Sequence, residues 1–212
     1  EFYEFYFACA KTGIVGAPTN VRLAPAELES YLAYVEPAAL LVHGRVADTA
    51  RRFAGNVTSL RHVIGAGGDH GFDLDVDDLR AAQETTDPGC AVREDDVYQL
   101  AATSGTTGTP KAAIGTQRNA VAGIVTWATE LGLAECQTNL QAIPMFFNPG
   151  GVSGLHYVFL KGGRSILMEP FDPPTFLAAI EEYRANHTII VPTMVSMLLD
   201  HPDCGRHDYS SL

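Results

Sequence analysis

Apolar positions along the chain change spacing repeatedly, and each change predicts an element. Leu28, Tyr31, Leu32 and Val35 recur at i, i+3, i+4 and i+7, one face of a helix. Pro25 suits the first turn of that helix, with Glu27 and Glu29 near its positive end. Phe2 to Lys11 is apolar and aromatic and reads as a helix, with Gly13 as its C-cap. Short apolar runs at Ile14–Pro18, Ala39–Val42 and His62–Gly65 predict strands, and Ala47–Ala54 a helix between the last two. Asp69 to Pro88 is acidic and contains glycine; it reads as a surface connection with a short helix near Val76–Gln83.

The alternation then resumes. Strands are predicted at Val97–Ala102, Ala112–Gly115, Leu140–Phe146, Ser165–Met168 and Thr188–Val191. Helices are predicted at Asn119–Leu131, Val152–Leu160, Pro173–Ala185 and Thr193–Leu199. Strands alternating with helices define an α/β protein of layered helices and mainly parallel sheets. The predicted division is a first α/β half at 1–68, the acidic connection at 69–95 and a second α/β half at 96–212.

Composition narrows the class. The 212 residues are 46% hydrophobic and 18% charged, enough for a packed core. A net charge of −11 and a pI of about 4.9 oppose a nucleic-acid partner, which needs a basic face. No apolar run approaches the roughly 20 residues of a transmembrane helix. Cys9, Cys90, Cys136 and Cys204 form no CxxC pair, and the acidic, aromatic start is unlike a secretory leader. Reduced thiols in a cytoplasmic protein are the expectation.

Candidate chemistry concentrates between two predicted strands, at Thr103-Ser104-Gly105-Thr106-Thr107-Gly108-Thr109-Pro110-Lys111. Gly105 and Gly108 allow close backbone approach, so successive N–H groups can form an anion nest. Thr103, Ser104, Thr106, Thr107 and Thr109 add hydroxyl donors, and Lys111 adds a cation for phosphate. A flexible linker rarely ends in Pro-Lys between apolar strands. The spacing is not that of a Walker A loop, which needs G-x-x-x-x-G-K-[ST].

This string resembles the signature loop of the adenylate-forming superfamily, with the closest likeness to fatty acyl-CoA synthetases. Asp96-Val97-Tyr98, Arg118-Asn119, Asn20 to Leu28, Pro144-Met145-Phe146, Val191-Pro192-Thr193 and Asp208 to Leu212 are similar to other stretches of the family. The resemblance implies part of a large N-terminal domain. It implies activation of a small carboxylic acid with ATP and Mg²⁺, then transfer of the acyl group to CoA. Lys111 would be catalytic, and Thr103 to Thr109 with Lys111 would hold the phosphates. Met145, Phe146, Phe147, Gly150, Gly151 and Thr193 would border the acyl group.

Three positions depart from the family pattern. Ala112 stands where Gly is usual, and a His is common near Gln117. Phe147 replaces a His associated with gating of the acyl and CoA channels. The family's Gly-x-Thr-Glu and Thr-Gly-Asp segments and its C-terminal lysine do not occur in these residues, so a fragment inactive in adenylation is expected. An aryl-CoA ligase, an acyl-AMP ligase and a non-catalytic nucleotide-binding relative are the alternatives.

Other groupings read as ordinary structure. His201, Cys204 and His207 offer three zinc-type ligands but fit a polar loop after a helix. Asp73 to Asp78 imitates a calcium loop but has Asp78 where the sharp turn needs Gly. His43, His62, His70, His156 and His187 have no partner legible from spacing and read as structural.

Overall fold

The structure, a computed structural model, describes residues 1–103, 111–148 and 151–212, with the backbone alone at 152–155. It divides into two compact units, Glu1–Thr116 and Gln117–Leu212.

The first unit opens with α1 (Phe2–Thr12), whose predicted C-cap forms: Gly13 takes φ +73° and donates its N–H to Cys9 O at 3.0 Å. In α2 (Pro25–Val35), Glu27 accepts the Ala24 N–H at 2.8 Å, and the predicted face buries Leu28, Tyr31 and Leu32. Next come β1 (Ala39–His43), α3 (Ala47–Arg51), β2 (His62–Ala66), β3 (Leu74–Asp75) and α4 (Val76–Ala81). The three strands form a parallel sheet in the order β1-β2-β3. Leu28, Tyr31, Leu32, Val42, Phe53 and Val57 form its core. The predicted strand at Ile14–Pro18 makes a single bridge, Gly16 to Gln99. Pro18 has no N–H to extend it.

The acidic connection is held by the pairing of buried His70 with half-buried Asp75. His70 Nε2 lies 2.7 Å from Asp75 Oδ2, and His70 Nδ1 accepts the Phe72 N–H at 3.1 Å. The second bond places the imidazole proton on Nε2, which then donates to the carboxylate. Asp75 Oδ1 accepts the N–H groups of Asp77 and Asp78, capping α4. Asp75 therefore acts as a helix cap and histidine partner.

These bonds, His70 first and then the two N–H groups, hold the Asp75 carboxyl below its ordinary value of 3.8. A depressed carboxyl stabilises the fold above its unfolded pKa, and that contribution is lost as pH falls through the folded pKa. Asp75→Asn should therefore be less stable than the parent near neutral pH. The gap should close below the usual carboxylate range in urea unfolding at stepped pH. A gap independent of pH would overturn this assignment.

β4 (Val97–Thr103) and β5 (Lys111–Thr116) complete the unit as an antiparallel hairpin.

The second unit contains α5 (Gln117–Glu130), β6 (Thr138–Gln141), α6 (Val152–Leu160), β7 (Arg164–Leu167), α7 (Pro173–Tyr183), β8 (His187–Ile189) and α8 (Pro192–Leu199). Its sheet is parallel in the order β7-β6-β8. Leu140, Phe176, Leu177, Ile180, Met194 and Leu198 form the larger core. The central strand begins earlier and ends sooner than the predicted Leu140–Phe146. Thr138, Asn139 and Gln141 are polar yet buried, which hides the strand from a reading based on apolar runs. Pro144 then turns the chain away from the sheet. Among the described residues no helix is long and apolar enough to cross a membrane.

Candidate functional site

The hairpin β4–β5 positions the candidate phosphate loop. Its root is buried and its end is exposed. Tyr98 is 3% exposed, and its ring centroid lies 5.9 Å from that of Tyr6 on α1. Burial raises the hydroxyl pKa of both tyrosines, so they remain neutral packing groups. Gly16 donates to Tyr98 O at 3.0 Å and accepts from Leu100 N at 2.9 Å, tying β4 to the preceding chain.

The ladder runs from Val97 opposite Thr116 to Thr103 opposite Lys111, with a bulge near Val97 and Gln99. At the open end Thr103 Oγ1 donates to Lys111 O at 3.3 Å, and both residues are exposed. Ser104, Gly105, Thr106, Thr107, Gly108, Thr109 and Pro110 connect these paired ends and lie outside the described residues. Ala112 is half-buried against the α2–β1 core. A methyl group at this departure from the family pattern thus has a packing partner.

The candidate acyl segment lies in the second unit, just after β6. Gln141 is 2% exposed and donates Nε2–H to Ile143 O at 3.0 Å, steadying the strand exit. Phe147 N–H donates to Pro144 O at 3.0 Å, closing a turn over Pro144, Met145 and Phe146. Gly151 N–H then donates to Phe147 O at 2.8 Å. The Phe146 and Phe147 ring centroids are 4.5 Å apart, tilted by 50°, and Phe147 is 43% exposed. A Cβ on Gly151 would sit 2.3 Å from Met145 O, so this approach requires glycine.

The structure thus brings Met145, Phe146 and Phe147 together in one turn, with Gly151 close against it. Thr193 is exposed in the first turn of α8, a separate element. Gly150 lies outside the described residues. Gln141 was not singled out from sequence; it follows the polar residues Gln137, Thr138 and Asn139, and no apolar pattern marks it.

His201, His207 and His187 have structural partners. His201 Nδ1 accepts the Asp203 N–H at 3.2 Å, and His207 Nδ1 lies 2.9 Å from Glu181 Oε2. His187 Nε2 lies 3.2 Å from the Tyr157 hydroxyl. Burial lowers the His187 pKa and raises that of Tyr157 to about 12, so both are neutral near pH 7. Among the described residues no group of three or more His, Cys, Asp or Glu could hold a metal ion.

The fold is that of the N-terminal domain of adenylate-forming enzymes. The anthranilate CoA ligase AuaEII, solved in complex with anthranoyl-AMP, matches with a TM-score of 0.88 at 26% identity, covering 98% of this chain and 41% of that one. The AMP-binding enzyme family matches residues 1–212, and the chain belongs to it. The feruloyl-CoA synthase of Amycolatopsis sp is 34% identical over 211 residues, 100% of this chain and 40% of that protein. The medium/long-chain-fatty-acid–CoA ligase FadD8 of Mycobacterium tuberculosis is 37% identical over 121 residues, 56% of this chain and 20% of that protein. The chain spans at most about two-fifths of the length of these curated relatives.

Proposed function

We propose that this chain forms part of an ATP-dependent acid–thiol ligase acting on an apolar carboxylate. The observation that carries the reading is the hairpin, rooted in a buried tyrosine pair and ending in exposed Thr103 and Lys111 around the Ser/Thr/Gly string. A packed hairpin base joined by a sequence rich in Ser, Thr and Gly suits a polyphosphate, because such a sequence supplies many N–H and O–H donors. Mg²⁺ enters with ATP as part of the substrate and shares its charge.

A carboxylate oxygen attacks the α-phosphorus, and the bond to the bridging oxygen of the β-phosphate breaks. Pyrophosphate leaves with that electron pair. Lys111 and the loop hydroxyls offset the charge that develops on it. The CoA thiol then gives up its proton and attacks the acyl carbon, and AMP departs. Met145, Phe146, Phe147, Gly150, Gly151 and Thr193 border the acyl group in this reading. A cytoplasmic setting suits the free thiols; burial pushes that of Cys9 up to about 11.

An aromatic acid is the second reading of the substrate. Two relatives are named for feruloyl and anthranilate substrates, and the adjacent Phe146 and Phe147 rings would suit an aryl group.

Pyrophosphate release and CoA consumption, read separately over fatty and aromatic acids, test the reading in the full-length protein. Both should be seen, with their ratio near one. Pyrophosphate without CoA loss would instead give an acyl-AMP ligase, and neither would give a non-catalytic relative. The chain alone should release no pyrophosphate above its Lys111→Ala variant.

A further inference from the structure

The sheet of the second unit changes sides around its central strand. From β6 the chain passes through α6 to β7 on one side, and from β7 through α7 to β8 on the other. Both crossovers join parallel strands, so they share one hand and their helices lie on opposite faces. Leu140 packs with Phe176 and Ile180 of α7 and with Met194 and Leu198 of α8. Asn139 and Gln141 alternate with Leu140 and so point to the other face. Ile189, the register partner of Gln141, packs against Tyr157 and Val158 of α6.

The chain thus leaves β6 toward one face and β8 toward the other. Carboxyl ends of neighbouring parallel strands that part in this way flank a crevice, the usual ligand position in such sheets. The Pro144–Phe147 turn follows β6 and Thr193 follows β8. The two segments expected to border the acyl group therefore stand on the two sides of one crevice.

Gln141 is the last residue of β6, at the base of this crevice. Ile143 O accepts its Nε2–H, which fixes the amide: turned over, its oxygen would face another oxygen. Oε1 is left buried and, among the described residues, without a donor. The register partners Leu167 and Ile189 are apolar and supply none. An unpaired buried acceptor is costly, and most such groups in folded proteins have a partner. No Asp, Glu, Lys or Arg occurs at 138–151 or 187–199, so an ammonium would lack a counter-charge there, while a hydroxyl needs none.

We infer that Gln141 Oε1 selects a carboxylic acid whose apolar body carries a hydroxyl, which donates its hydrogen bond to this oxygen. The inference rests on the proposed ligase reading and narrows its substrate. Oε1 has no solvent contact, so the Pro144–Phe147 turn has to shift as the acid enters. Gln141 sets specificity and takes no part in adenylation or in thiol attack.

The test compares matched acids in the full-length protein: benzoates, cinnamates and fatty acids with one hydroxyl, each against the same acid without it. Pyrophosphate release gives kcat/KM. For the best pair the hydroxy acid should be preferred by roughly ten- to a hundredfold, the cost of leaving the buried oxygen unpaired. Its O-methyl ether, which has no donor, should rank with the plain acid. Gln141→Leu, which lacks the acceptor, should bring the ratio near one. A loss of packing alone would lower both acids together and keep the ratio, and that result would overturn the proposal. Equal use of hydroxy and plain acids by the parent would overturn it without any variant, and would leave the ligase reading standing. Absence of release with every acid would remove both.

Discussion

Gly151→Ala should lower the stability of the chain by about 1–3 kcal/mol, the range for overpacking a filled site. Its added Cβ would meet Met145 O at 2.3 Å, Phe147 O at 3.3 Å and Met145 C at 3.4 Å. These are backbone atoms, so no side-chain rotation relieves the contact. Gly151 is also buried, and its N–H holds Phe147 O. Relief must come from opening the Pro144–Phe147 turn or shifting the start of α6. Urea unfolding gives the size of the loss, and the aromatic circular dichroism of Phe146 and Phe147 shows whether the turn has opened.

Gly123→Ala is the matching control. Gly123 lies inside α5, where an added Cβ has no heavy atom within 4 Å. Alanine there should stabilise by about 0.5–1 kcal/mol, because glycine loses more backbone freedom on entering a helix. Opposite signs for one chemical change at two glycines would tie the effect to local geometry. Two losses of equal size would remove the proposed role of Gly151.

The contrast also shows which parts of the molecule can be read in one dimension. Leu28, Tyr31 and Leu32 repeat with the helix, and all three are buried as their spacing predicts. Gly13 caps α1 through contacts within its own last turn, so it too is visible locally. Thr138, Asn139 and Gln141 are buried for a nonlocal reason: β6 lies between β7 and β8. No local pattern marks that position, and the polar residues shift the predicted strand toward the apolar run that follows. β3 was missed because Leu74–Asp75 is two residues long and reads as the entry to α4. Met145 to Phe147 were legible as a family string, but the sequence reading put Met145 and Phe146 in a strand where the structure has a turn. The need for glycine at 151 was not legible, since it depends on where a carbonyl six residues upstream returns. The Thr/Gly string was legible by composition, but sequence could not show that the tyrosine pair and Gly16 anchor its supporting strand.

Lys111→Ala should weaken binding of MgATP by roughly ten- to a hundredfold, as expected for losing a hydrogen bond to a charged group worth about 1.5–3 kcal/mol. The fold should not change. The Lys111 side chain is exposed, and its link to Thr103 runs through its main-chain carbonyl, which alanine retains. The unfolding midpoint should therefore stay within the small range of an ordinary surface substitution. Calorimetric titration with inorganic triphosphate isolates the phosphate contact from any contribution of adenine or ribose. Triphosphate should lose affinity by the same factor as MgATP, and adenosine by none. Raising the salt concentration should weaken the parent more than the variant, because screening acts on the charge that alanine removes. Lys111→Arg should recover part of the affinity, since the cation returns in a planar, bulkier group that cannot reproduce the ammonium geometry. Equal losses for adenosine and triphosphate would place the lysine away from the phosphates. An unchanged triphosphate affinity would remove the hairpin end from the nucleotide site and withdraw the main support for a carboxylate-activating enzyme.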